Sequence, residues 1–352
     1  MDGLRGVAAM AVVWAHMVVY LGLMPHPVLG VTGVLVFFML SGYLIARIVA
    51  RAGDTPPAYR TFLRRRAVRL GPAVLALAVV GPCILLTLTD TPARSVLTQG
   101  AWVLTQTSSL PMAAGLPVHP ILGPTWSLSV EWTFYLGFPL GYRALVRGGC
   151  STLAVARYAV VAALALYLVA LPLRPAVFYY LPVANLGVMV LGAALGLAHH
   201  AGWTGPERLR LGIWPAGGLA MILILIVLPG SPLQAAYRFA VLPATALATA
   251  LVINGCVAGH PVQRILASRF LRTVGLRAYS LYLWHMSVLW VTWRLRGDSA
   301  SWTTAGIACL ALVPVVELSY RLFEAPVLRG GTNALQPRAD AGSSRPALVE
   351  RG

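Results

Sequence analysis

The sequence contains no lysine. All 27 basic residues are arginines, against only ten acidic residues, for a formal net charge of +17. Charged residues of both signs make up 11% of the 352 positions, where a soluble globular domain carries about a quarter. That scarcity excludes an ordinary soluble fold. Cysteine is sparse as well: Cys83, Cys150, Cys256 and Cys309 are scattered without a CxxC pair. Neither a disulfide framework nor a metal site is expected from them, and each reads as a small packing residue. No internal repeat is visible, and the two halves share no pattern of broken helices.

What the chain does have is apolar length. It is 58% hydrophobic with a mean hydropathy of +0.76. Ten stretches are apolar enough to cross a hydrocarbon layer about 30 Å thick: 7–24, 31–50, 67–89, 125–146, 153–171, 180–198, 211–229, 236–257, 274–295 and 302–324. The expectation is an all-α polytopic protein with about ten transmembrane helices. The first run lacks a small-residue cleavage site and leads straight into a second span, so it reads as a retained helix. One membrane domain is expected over 1–327, followed by a polar, disordered tail over 328–352.

The excess of arginine would suggest nucleic acid in a soluble protein. Here the arginines lie between spans, so no nucleic-acid partner is expected, only the bilayer. With the N-terminus inside, only Arg94, Arg174, Arg238, Arg294 and Arg296 fall outside; the positive-inside rule then predicts N-in, C-in. The cell membrane of a bacterium is the expected location. Two connections stand out. Residues 51–66, RAGDTPPAYRTFLRRR, read as a basic inner connection, and the proline-punctuated 90–124 as a long outer loop whose middle lies on or dips into the membrane.

Three ionisable residues interrupt apolar runs: His16 in VVWAHMVV, Glu131 in WSLSVEWTFYL and His285 in AYSLYLWHMSV. Arg5 lies eleven residues before His16, about 16 Å along a helix, which sets Arg5 at the inner face and His16 near mid-depth. Glu131 and His285 reach a similar depth from opposite sides. Singly, each histidine reads equally as a hydrogen-bonded packing residue. Three ionisable groups in one layer point to a polar site, because such groups inside a membrane are costly and face a cavity or a partner.

In YRTFLRRRAVRLGP, Arg64, Arg65, Arg66 and Arg69 cluster at the inner start of the third span. Positive-inside anchoring explains some of these, but Arg66 and Arg69 share a helix face, the arrangement that grips phosphates. In VELSYRLFEAPVLR, Glu317, Tyr320 and Glu324 line one helix face, as an ion-paired network or a ligand contact. Gly30, Gly33, Ser41 and Gly42 mark small-residue packing in the second helix, and His199 with His200 an interfacial helix end.

Six segments in order, MDGLRGVAAMAVVWAH, GVLVFFMLSGYLI, RRRAVRL, WSLSVEWTFYL, AYSLYLWH and SYRLFEAPVLR, resemble the acyltransferase 3 family of integral membrane O-acyltransferases. The resemblance implies transfer of an acyl group, acetyl by default, from cytoplasmic acyl-CoA to a hydroxyl of a carbohydrate or glycan. A macrolide-type or other secondary metabolite is the alternative acceptor. Acyl-CoA is a co-substrate on this reading, and no bound cofactor or metal is expected. The family's first-helix Arg and His match Arg5 and His16, its Arg-x-x-Arg pair matches Arg66 and Arg69, and its fourth-span glutamate matches Glu131. The second acidic residue and Gln that often follow that glutamate are Trp132 and Thr133 here. The SGNH-type domain that many members carry is not seen.

The expected chemistry has His16 as general base with Glu131 orienting it or binding the acceptor hydroxyl. Arg5, Arg66 and Arg69, with Arg65, would hold the phosphates of CoA. Trp126, Ser127, Tyr282 and His285 would line the acceptor or acyl pocket. A rival of another class is a proton-coupled transporter with His16, Glu131 and His285 as a relay, and a non-catalytic scaffold is a third.

Overall fold

The computed structural model describes residues 1–24, 30–52 and 56–327. The expected tail over 328–352 therefore lies outside the described residues. Helix accounts for 81% of the structure, with no strand among the described residues. In chain order the helices are α1 (Asp2–Tyr20), α2 (Val31–Ala52), α3 (Pro56–Leu88), α4 (Ala93–Leu104), α5 (Ser109–Ala113), α6 (Trp126–Arg147), α7 (Thr152–Ala170) and α8 (Pro175–Tyr180). They continue as α9 (Pro182–His200), α10 (Glu207–Leu211), α11 (Trp214–Val227), α12 (Leu242–Ala258), α13 (Val262–Leu266), α14 (Arg269–Leu276), α15 (Ala278–Leu295) and α16 (Trp302–Ser319). A π-helical turn at Tyr320–Glu324 extends α16.

A helix stands at each of the ten expected stretches, and the fold is an all-α polytopic membrane protein. Seven of the described helical segments are long and apolar enough to cross a bilayer. The other three expected spans fall short for physical reasons. α11 has only 14 residues. α6 carries Glu131, Arg143 and Arg147, and α15 carries His285, Arg294 and a run of Trp and Tyr, so both dilute apolar length with polar groups.

Two expected connections turn out helical. The basic stretch 51–66 is mostly the opening turns of α3, which runs 33 residues from Pro56 and continues through Pro72 and Pro82. The segment 90–124 is no open loop: α4 buries Val96, Gln99, Gly100 and Val103, and α5 follows it. Pro92 stands at the start of α4, and Pro111 lies within the first turn of α5, where a missing N–H costs nothing.

α2 is the central element, two-thirds buried over its apolar window, while α16 is about one-fifth buried and takes the periphery. α2 and α9 approach so closely that a Cβ at Gly42 would strike the Met189 carbonyl. On the α9 side, Gly192 and Gly196 meet the backbone of Met39 and Tyr43. These two glycines are four apart, the spacing that lets membrane helices touch backbone to backbone. A second tight contact fixes α1 against α13 and α14, with Gly3 on Leu266 of α13 and Gly275 of α14 on Asp2. The α2 side chains Phe38, Met39, Leu40 and Tyr43 are buried in the main core beside Leu4, Ala8 and Val12 of α1. Thus α1, which carries Arg5 and His16, is clamped on two sides.

Candidate functional site

A cavity opens between α1, α2, α3, α6, the start of α15 and the end of the α16 extension, with about 810 Å³ of empty space including its mouth. Arg5, Arg66, Arg69, Glu131 and Glu324 supply its charges, three guanidinium groups against two carboxylates. Ser41, Ser127, Tyr135, Tyr279 and Tyr282 add hydroxyls, while Phe37, Phe38 and Leu128 give it apolar wall.

The arginines come from the two helices expected. Arg66 and Arg69 lie one turn apart on the face of α3 that also carries Phe62. The Arg66 guanidinium sits over the rings of Phe62 and Tyr135, 5.6 and 5.5 Å from their centroids. The Arg69 Nε is buried with no hydrogen-bond partner. Neither Arg66 nor Arg69 has a carboxylate at ion-pair distance among the described residues, and Arg5 reaches only Asp2, at 3.7 Å. Buried polar groups are normally satisfied, so a bare Nε beside a stacked guanidinium is an anion site in waiting. Arg65 is not part of it. It is exposed and does not line the cavity, because one residue along a helix turns it about 100° away from Arg66.

Glu131 is held on both oxygens. Oε1 accepts from the Ser41 hydroxyl at 2.8 Å and Oε2 from the Tyr135 hydroxyl at 2.9 Å. The expectation that Glu131 orients the His16 imidazole therefore meets a different arrangement: the partner of His16 is His285. His285 Nε2 lies 3.2 Å from His16 Nδ1, with the rings 4.9 Å apart and tilted 57°. His16 Nδ1 is also 2.9 Å from the Val12 carbonyl, and His285 Nδ1 is 2.7 Å from the Tyr282 carbonyl.

A carbonyl only accepts, so both Nδ1 atoms must carry hydrogen. One proton on each ring completes the set, with His16 Nδ1–H shared between Val12 and His285. Each Nε2 then keeps its lone pair. That of His285 is spent on His16, while that of His16 makes no hydrogen bond among the described residues. The geometry thus leaves one free base, and it is His16 Nε2.

Tyr282 joins the two parts. Its ring lines the cavity and lies 5.8 Å from that of His285. Its hydroxyl is pinned by the Pro124 carbonyl at 2.8 Å and the Ser127 hydroxyl at 2.7 Å. Neither His16 nor His285 lines the large cavity; they stand one ring deeper. Trp126 does not line it either. It is buried against Tyr179 and Tyr180, with ring centroids 4.8 and 5.6 Å away, and against Phe38. Trp132, packed against the main core, makes a ring contact with Tyr135, and Thr133 donates to the Ser129 carbonyl.

Three participants, Ser41, Tyr135 and Tyr279, escaped the sequence reading, while Glu324 was read as a network member or a ligand contact. Ser41, read as a packing residue, binds Glu131. Tyr135 was visible as the i+4 neighbour of Glu131. Tyr279 donates to the Leu70 carbonyl at 2.9 Å. Glu324 is buried, and it holds the Ser280 backbone N–H at 3.2 Å and its hydroxyl, fixing the start of α15. Glu317, set on the same face in the sequence reading, instead pairs with Arg277 and Arg321, each at 2.6 Å. His199 is more than an interfacial end, bridging Tyr43 at 3.2 Å and Asn254 at 2.8 Å.

The family profile of the acyltransferase domain, acyltransferase 3, matches residues 1–321. The chain belongs to this family. Its relatives include the acyltransferase MdmB of Streptomyces mycarofaciens, 29% identical over 348 residues that cover 89% of this chain and 85% of MdmB. The O-acetyltransferase OatA of Staphylococcus aureus strain MRSA252 is 26% identical over 99% of this chain and 60% of its own length. The putative peptidoglycan O-acetyltransferase YrhL of Bacillus subtilis is 26% identical, over 96% and 56% respectively. The chain thus spans a little over half the length of those last two relatives. No solved structure matches. Family and relatives together make this chain an O-acyltransferase of the membrane, which leaves the transporter and scaffold readings without support.

Proposed function

We propose that the protein moves an acyl group, by default acetyl, from acyl-CoA to a hydroxyl of a carbohydrate or glycan. On this reading about ten helices cross a bacterial cell membrane with both described ends inside. The arginine-lined mouth then faces the cytoplasm, where acyl-CoA is found. Arg66, Arg69 and Arg5 take the CoA phosphates, in charge-assisted bonds of the kind guanidinium makes best. The pantetheine arm runs along the apolar wall toward Tyr282, whose ring must swing aside for the thioester to meet His16.

His16 Nε2 takes the proton from the acceptor hydroxyl as its oxygen attacks the thioester carbonyl. The C–O ester bond forms, the C–S bond breaks, and the proton passes from His16 to the departing thiolate. His285 fixes the ring and its tautomer. Glu131, with Ser41 and Tyr135, offers hydrogen-bonding capacity to the acceptor or the arm. The single observation carrying this reading is the free Nε2 of a half-buried, doubly anchored histidine one ring behind an arginine cavity.

The acceptor is the finer point. The names of OatA and YrhL favour a cell-wall glycan. A macrolide-type metabolite is the second reading, favoured by the fuller two-way coverage with MdmB. The test is release of free CoA from acetyl-CoA by purified protein, offered peptidoglycan fragments or a macrolide with a free hydroxyl. Wild type should release CoA with one acceptor class, and His16→Ala should lose about 10²–10⁴-fold of that rate. Equal rates in the two proteins would sink the general-base assignment.

A further inference from the structure

On the side of the histidine pair away from the arginines lies a second, far smaller pocket. Its walls are Val13 and Met17 of α1, His285 and Leu289 of α15, and Ala308 and Leu312 of α16, with the Cys309 thiol at its edge, 3.6 Å from the Met17 sulfur. Apart from the His285 ring, the lining offers no nitrogen or oxygen from any side chain. Leu289, Ala308 and Leu312 are buried, so this space is enclosed at its base and opens past Cys309, which is exposed. It has room for about one water-sized group.

We propose that this pocket receives the acyl chain of the donor and sets its length, favouring the two-carbon acetyl group. The inference rests on the acyl-CoA reading above and deepens it. His285 carries the argument, because it is the one residue that belongs to both the dyad and this pocket. The reacting carbonyl must lie beside His16 Nε2, with its sulfur pointing back toward Tyr282 and the arginines. The acyl carbons therefore continue past the dyad, away from the large cavity, where this pocket is the apolar space beside His285. The acceptor is a poor fit there, since its hydroxyls would find no partner and each would be buried at a cost. An alkyl stub leaves no polar group unmet. The small size then discriminates: a methyl fits, and a longer chain must displace Leu312 or Met17.

The test reads donor binding, so it needs no acceptor. Affinities for CoA, acetyl-CoA, butyryl-CoA and octanoyl-CoA are measured by calorimetry on the full chain in nanodiscs. Wild type should bind acetyl-CoA more tightly than CoA and octanoyl-CoA more weakly than acetyl-CoA. Leu312→Ala should raise the butyryl-to-acetyl affinity ratio by about fifteenfold, as two methylenes at about fourfold each would give. Ala308→Leu should lower the affinity for acetyl-CoA toward that for CoA. Leu310→Ala and Val313→Ala, exposed on the same helix, should leave the ratios as in wild type.

If Leu312→Ala and Ala308→Leu match these controls while CoA still binds, the pocket is a crevice for lipid and the proposal is overturned, though the acyl-CoA reading stands. Absence of any CoA binding overturns the donor reading itself, and the chain-length proposal with it.

Discussion

The arginine mouth and the histidine pair lie within one site, yet they are built on opposite rules. At the mouth the donors outnumber their partners: Arg69 Nε is buried and bare, and Arg66 has only ring faces beneath it. At the histidine pair every ring nitrogen but one is committed. Unmet donors make a surface that waits for a ligand, and its contribution appears in affinity. A pair with one atom left free makes a surface that waits for a proton, and its contribution appears in rate.

Three substitutions separate these halves. Arg69→Ala should have the largest effect of the three. Losing a charge-assisted bond worth about 1.5–3 kcal/mol should raise KM for acyl-CoA by roughly 10–150-fold with a far smaller change in kcat. Its internal control is Arg65→Ala, expected within about twofold of wild type, since Arg65 points away from the cavity. If Arg65→Ala and Arg69→Ala raise KM alike, the mouth is a diffuse basic surface and the distinction collapses. His285→Ala comes next. It removes a positioning residue, so kcat should fall about tenfold, and the smaller loss relative to His16→Ala separates orienting the base from being the base. Tyr135→Phe should have the least effect. It frees one oxygen of Glu131 by removing a bond worth about 1 kcal/mol, for about a fivefold change, read as acceptor KM against kcat.

Much of this was legible in one dimension. Long apolar runs located every major helix, because a bilayer admits little else, and the i, i+3 spacing placed Arg66 with Arg69, whereas Arg65, grouped with them as a phosphate ligand, lies on another face. What escaped was pairing across distance. Ser41 meets Glu131 across 90 positions, and His16 meets His285 across 269. No periodicity carries that information, because it depends on how α1, α2, α6 and α15 come together. Ser41 illustrates the limit: among Gly30, Gly33 and Gly42 its small size spoke for packing, and only the fold reveals which way its hydroxyl turns. The 90–124 segment failed differently. Its prolines signalled interruption correctly, but they interrupt helices rather than forbid them.

α2 belongs to both economies of the molecule. Through Met39, Gly42 and Tyr43 it is pressed backbone to backbone on α9, and through Phe37, Phe38 and Ser41 it walls the cavity. A helix gripped at that distance has no clearance for sliding or rolling, since the first fraction of an ångström would drive carbonyls into neighbouring backbone. It serves as the stationary rail of the machine. Whatever travels during a turnover cycle, be it the Tyr282 ring, the α15 segment behind it or the arginine turns of α3, travels relative to α2. Spectroscopic labels that need a fixed reference belong there.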